Sequence, residues 1–159
     1  MGMPETAAAF FTSLGLPELP DRRWQNSMLV APTDHDAVCH ASAWDLDNGN
    51  DPRIKQCVEA NEDQLATLHH ELGHIYYYLM YKDVRPLFKG GAHDGFHEAI
   101  GDTIVLSMTP EYLKAKGLVD SVTVSDEAVI NQQMKLASDQ IAIPPCRKLT
   151  PELRRKVVT

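Results

Sequence analysis

A His-Glu-x-x-His run inside a long helical pattern leaves this chain of 159 residues few ways to fold. Leu65, Leu68, Leu72, Ile75 and Leu79 recur at helical spacing between about Asn61 and Tyr81 and make one core-facing stripe. Asn61 reads as the N-cap with Gln64 as its capping-box partner, Glu62 and Asp63 occupy the positive first turn, and the helix must stop before Pro86. His70 and His74 stand four apart on this helix, one turn above each other, so both imidazoles can reach a single ion. Glu71, one residue on from His70, flanks the metal position as general base.

A third ligand is expected from Glu98, 24 residues after His74, in the pattern Glu98-Ala99-Ile100-Gly101-Asp102. A loop with Gly90 and Gly91 joins the two segments, and Asp94 can cap a second helix from Gly95 to about Met108, packed antiparallel to the first. Asp102, one turn beyond Glu98, falls where a carboxylate accepts the free ring N–H of a ligating histidine. Three protein ligands with an open fourth position describe a catalytic zinc site, whereas a structural site would be closed by a further ligand, usually cysteine. The competing reading is an ordinary charged helix face. His69 points about 100° away from His70 and reads as structural or exposed, as His93 and His97 read as supporting or surface residues. For Tyr76, Tyr77 and Tyr78, core packing is the expectation.

Elsewhere the pattern is mainly α. Glu5 to Leu14 reads as a short amphipathic helix stopped by Gly15 and Pro17, with a further turn near Arg22 to Met28. Thr109-Pro110-Glu111 starts a helix that Gly117 ends, and Ser125 caps a last one over roughly Asp126 to Ile143. Val38 to Trp44 and Arg53 to Val58 flank the turn signal Asp47-Asn48-Gly49-Asn50 and suggest a β-hairpin. Folding about Asn48 would set Cys39 opposite Cys57, which predicts a disulfide and an oxidising compartment; two buried free thiols are the alternative. Cys146 is left over.

Charge narrows the partners. The last fourteen residues carry a net +4, which leaves −11 for residues 1–145. An acidic body excludes nucleic acid as an expected partner, because phosphate binding needs a basic face. No apolar run reaches the roughly 18 residues of a transmembrane helix, and Met1 to Thr12 lacks the basic start of a secretory signal.

Three runs, Val38-Cys39-His40-Ala41-Ser42-Ala43-Trp44-Asp45, His69-His70-Glu71-Leu72-Gly73-His74-Ile75 and Gly95-Phe96-His97-Glu98-Ala99-Ile100-Gly101-Asp102, together resemble the angiotensin-converting enzyme family of zinc peptidyl-dipeptidases. The likeness runs from about Phe10 to about Ile143 and covers about a quarter of a full catalytic domain of that family. It implies a helical zincin-type metallopeptidase fragment with one small β-hairpin, with residues 1–143 as partial catalytic domain and 144–159 as a divergent basic tail. By resemblance, His70, His74 and Glu98 bind one zinc ion, Glu71 is the base and Asp102 supports a ligand. His40, through its ring, and Ala41, through its backbone, would contact a peptide with a free C-terminus, and the Cys39 to Cys57 pair matches a family disulfide. The product would be a C-terminal dipeptide and the location extracellular, secreted or membrane-tethered.

The family's oxyanion-stabilising tyrosine and histidine, its groups for the substrate carboxylate and its chloride sites belong to a later portion and map to nothing in this chain. Losing oxyanion donors costs about 10²- to 10³-fold in turnover. Two rivals therefore stand beside the peptidyl-dipeptidase. One is a zinc endopeptidase or aminopeptidase of another Glu-type family, against which the His40 hairpin argues. The other is a catalytically incomplete zinc-binding fragment or splice product acting as a binding module.

Overall fold

The computed structural model describes residues 2–93 and 95–122, and beyond them 125–127, 129–131, 133–134 and 137. The described residues are mainly helical with a single two-stranded antiparallel sheet. The chain divides into two compact units, residues 1–108 and 109–159.

In the first unit, α1 spans Met3–Ser13, with Pro4 and Glu5 in its first turn, and ends where Gly15 takes a φ of 83°. Its Ala7, Phe10 and Phe11 are buried. Phe11 stacks on Tyr76 at 4.4 Å between ring centroids, and the Tyr76 hydroxyl donates to the Pro17 carbonyl at 3.0 Å. The short α2, Asp21–Asn26, leads into Met28 and Leu29.

Strands β1, Ser42–Asp45, and β2, Pro52–Lys55, pair with Ser42 opposite Lys55 and Asp45 opposite Pro52. The connection centres between Asn48 and Gly49, with φ of 47° and 88°. Glycine is required at 49: besides its φ, a Cβ there would lie 2.3 Å from the Lys82 Cβ. Met28 and Leu29 pair with the chain along β2, through Met28 N–H to Ile54 O, Gln56 N–H to Met28 O and Val58 N–H to Leu29 O, at 2.8 to 3.0 Å. The sequence reading missed this parallel contact.

Cys39 and Cys57 are joined by a disulfide, their Cα atoms 5.1 Å apart. The expected placement directly across the hairpin is corrected, however. Extending the observed register would set Cys39 opposite Val58, and both cysteines lie beyond the strand ends. The strands are shorter than the patterns that announced them, and the bond joins the two chains where they leave the ladder.

Helix α3 runs over Glu62–Tyr81. Leu65, Leu68, Leu72 and Ile75 are buried, together with Ile54 of β2 and the apolar face of α1. Asn61 caps it, its side-chain oxygen accepting the Gln64 N–H at 2.8 Å. Gln64 does not complete a capping box: its side-chain oxygen accepts instead from Nε2 of the buried Gln56 at 2.8 Å. After a single 3₁₀ turn at Pro86–Phe88, α4 covers Phe96–Val105, shorter than expected. Gly95 holds its N-cap position; the expected cap, Asp94, lies outside the described residues.

In the second unit, α5 spans Pro110–Ala115. Thr109 caps it by accepting the Tyr112 N–H, and Gly117, at a φ of 69°, ends it. The expected helix over Asp126 to Ile143 falls largely outside the described residues, and the tail 144–159 lies wholly outside them; Asp126, Glu127 and Val129 to Asn131 are helical.

Candidate metal centre

Helices α3 and α4 run past each other in opposite directions, since His70 meets Asp102, His74 meets Glu98 and Tyr81 meets His97. Two glycines let them come close. A Cβ on Gly73 would sit 3.0 Å from the Gly101 Cα, and one on Gly101 would sit 2.7 Å from the His70 Nδ1. The His70 ring therefore lies against the bare backbone of α4. Neither glycine had been given this role from sequence, although both stand inside the motifs that carry the site residues.

His70 and His74 place their ring centroids 4.7 Å apart with planes at 85°. The Glu98 carboxylate reaches toward both: Oε2 is 3.3 Å from His70 Nε2, and Oε1 is 4.0 Å from His74 Nε2. One ligand atom from each of the three lies within 4.8 Å of the others. Tetrahedral zinc, with bonds of about 2.0 to 2.2 Å, needs ligand atoms roughly 3.3 to 3.6 Å apart. The group fits zinc after a small contraction on the His74 side, and two imidazoles with one carboxylate are a donor set that zinc accepts.

Behind His70, Asp102 Oδ1 stands 3.1 Å from Nδ1. The ring thus has a carboxylate at each nitrogen. Burial works against its charged form, but the hydrogen bond with Glu98 and the charges of Glu71, Asp102 and Glu98 outweigh it, so the His70 pKa is raised. The carboxylates that favour a proton on this ring would favour a metal cation beside it for the same reason. Glu71 and His74 are both buried, at 6% and 8% exposure, so both side chains are largely screened from water.

Of the other histidines, His69 is fully buried, its Nδ1 2.8 Å from the Leu65 carbonyl oxygen and its ring against Phe10 and Phe11. His35 and His93 are exposed. His97 is enclosed by rings: Tyr77 at 4.5 Å, Tyr78 at 4.9 Å, His74 at 5.5 Å and Tyr81 at 5.9 Å between centroids. Burial lowers its pKa against the pull of Glu98. Burial, with the charges of Tyr78, Asp45 and Tyr77, pushes the Tyr81 hydroxyl up to about 12, so Tyr81 keeps its proton. Tyr76 packs in the core as expected, whereas Tyr77 and Tyr78 border His97.

His40 and Ala41 lie immediately before β1, His40 exposed with its Nδ1 2.7 Å from the Ala41 carbonyl oxygen. Among the described residues β1 pairs only with β2, and the Tyr78 hydroxyl of α3 donates to the Ala43 carbonyl at 3.5 Å. The strand runs beside the helix that carries the histidines. No helix of the described residues is long and apolar enough to cross a membrane, and the disulfide fits an extracellular location.

Compared with known proteins, residues 1–159 match the Peptidase_M2 family, described as angiotensin-converting enzyme. The chain is 51% identical over 147 residues to angiotensin-converting enzyme of Mus musculus, covering 91% of this chain and 11% of the relative. It is 49% identical over 154 residues to that of Sus scrofa, covering 96% and 12%. Against the angiotensin-converting enzyme-related protein of Drosophila melanogaster the identity is 44% over 142 residues, covering 89% and 22%. The chain thus spans about an eighth of the mammalian relatives' length and under a quarter of the insect one's.

Proposed function

The chain belongs to the angiotensin-converting enzyme family of zinc metallopeptidases, and from that membership we propose that His70, His74 and Glu98 hold one catalytic zinc ion for the removal of dipeptides from peptide C-termini. The observation that carries the reading is the convergence of these three side chains with Asp102 at the far nitrogen of His70. An ordinary charged helix face would spread its carboxylates into water instead of stacking them about one half-buried imidazole.

Zinc, when bound, polarises a substrate carbonyl and acidifies water. The remaining tasks fall to the chain. Glu71, beside His70 on α3, takes the proton of the attacking water and returns it to the leaving amine. Asp102 accepts the Nδ1 proton of His70, which fixes the tautomer and leaves the Nε2 lone pair for the metal. His40 and Ala41 lead into β1 and meet an extended peptide along the strand's outer edge, where Tyr78 engages the Ala43 carbonyl, with Ala41 contributing through its backbone and His40 through its ring. The same membership, with the disulfide, supports an extracellular setting and peptides as partners.

Replacing Glu71 by Gln tests the enzyme directly. The variant should keep its zinc and lose about 10²- to 10⁴-fold in dipeptide release from a peptide with a free C-terminus. A zinc-loaded wild-type chain that releases no dipeptide would sink the catalytic reading for this chain and leave a metal-dependent binding module.

A further inference from the structure

We propose that Tyr81 is a positioning residue for the metal centre, acting through His97 to hold the first turn of α4 where Glu98 meets His70 and His74. The inference rests on the zinc reading given above. It starts from an omission in α4: its N-cap, Gly95, makes no side-chain cap hydrogen bond. Phe96, the first helical residue, is half exposed and anchors little. A tether from outside α4 can add to the bonds that the Gly95 and Phe96 N–H groups make to His93 in holding the turn that carries Glu98.

His97 is that tether. Its Nε2 lies 3.1 Å from the hydroxyl of Tyr81, the last residue of α3. Tyr77, one turn back, packs on the same ring, and its own hydroxyl accepts the Ala92 N–H at 2.9 Å, which draws the end of the connecting loop to α3 as well. Seven residues, close to two turns, separate Tyr81 from His74, so both lie on one side of α3. His97 and Glu98 are neighbours on α4, about 100° apart. Rotating or sliding α4 enough to break the Tyr81 contact would carry the Glu98 carboxylate away from His74, which it already meets at 4.0 Å against 3.3 Å for His70.

The test compares wild type with Tyr81→Phe, which keeps the ring and its packing and removes only the hydroxyl. His97→Gln is the second variant, since its amide can still pair with Tyr81. Zinc affinity is read by competition with a chromophoric chelator, the absorption spectrum of the cobalt-loaded protein reports ligand geometry, and thermal unfolding of the zinc-free protein reports the fold. We expect Tyr81→Phe to bind zinc about 10- to 100-fold more weakly with an altered cobalt spectrum. Its zinc-free unfolding midpoint should stay close to that of wild type, and His97→Gln should retain most of the affinity. Unchanged zinc affinity and cobalt spectrum in Tyr81→Phe would overturn the proposal while leaving the zinc reading intact. A wild-type chain that binds no zinc would overturn both.

Discussion

Asp102 holds the Nδ1 of His70 at 3.1 Å while the opposite nitrogen of the same ring faces Glu98 at 3.3 Å. A carboxylate at each end of one imidazole, both from α4, holds the ring along that helix. Changing Asp102 to Asn keeps the size of the side chain but removes the charge that favours the ligating tautomer. Zinc affinity should fall about 10- to 100-fold by chelator competition. An unchanged affinity would mean that the contact is incidental.

Gly101 should tolerate no side chain. A Cβ there would lie 2.7 to 2.8 Å from three atoms of the His70 ring, which Asp102 and Glu98 prevent from turning aside. Alanine improves helix propensity by about 1 kcal/mol, but overpacking a tight contact costs about 1 to 3 kcal/mol and displaces a ligand. The clash should win: Gly101→Ala should lower the urea midpoint of unfolding and weaken zinc binding together. A gain in stability with zinc affinity intact would refute the close approach of the helices.

Much of this arrangement is legible in sequence, and the parts that are not share a cause. The stripe Leu65, Leu68, Leu72 and Ile75 announces α3 because burial of one helix face imposes the spacing, and Asn61 marks its start because an orphan N–H needs an acceptor. Leu79, at the end of the stripe, is only half-buried. Sequence also gives the separation of His70 from His74, since one helical turn is a local property. Contacts between distant residues are different. Gln64 answers to Gln56 instead of Asn61 because Gln56 is buried and its amide needs a partner. The pairing of Met28 with β2, the offset of the cysteines from the strand register, and the ring cage about His97 likewise depend on where separate segments meet. The glycines of α3 and α4 could have been found by asking why two helices expected to bring their ligands together carry a residue with poor helix propensity at the crossing.

The disulfide closes a loop between residues 18 apart in sequence. Cross-linking a loop of about that length stabilises by roughly 3 kcal/mol on the chain-entropy account. The pair Cys39→Ser with Cys57→Ser should lose about that much in urea unfolding. Because His40 and Ala41 directly follow Cys39, the double variant should also loosen the start of β1, visible as faster amide exchange at Ser42 and Ala43. Equal stability of the double variant and wild type would contradict a constraining role.

The raised pKa of His70 gives two pH dependences of opposite sign. In the zinc-free protein the ring titrates above its ordinary value of 6.5. Its contribution to stability is then fully present below 6.5 and is lost as the pH rises through the folded value. Zinc needs the neutral ring, so its affinity should be weakest below 6.5 and should climb until the folded pKa is passed. Unfolding of the zinc-free protein and zinc titrations between about pH 5.5 and about 8.5 check both limbs. A zinc affinity that stays flat across this window would show that the His70 proton does not compete with the metal.

The most direct test of the account is a zinc titration followed by unfolding, carried out on wild type and on His70→Ala, His74→Ala and Glu98→Ala. The account predicts one zinc per wild-type chain and a gain in stability of about 2.7 kcal/mol at free zinc a hundredfold above Kd, with the gain absent or sharply reduced in each variant. Wild-type protein that takes up no zinc, or variants that gain as much stability from it as wild type, would contradict the claim that these three side chains form a metal centre.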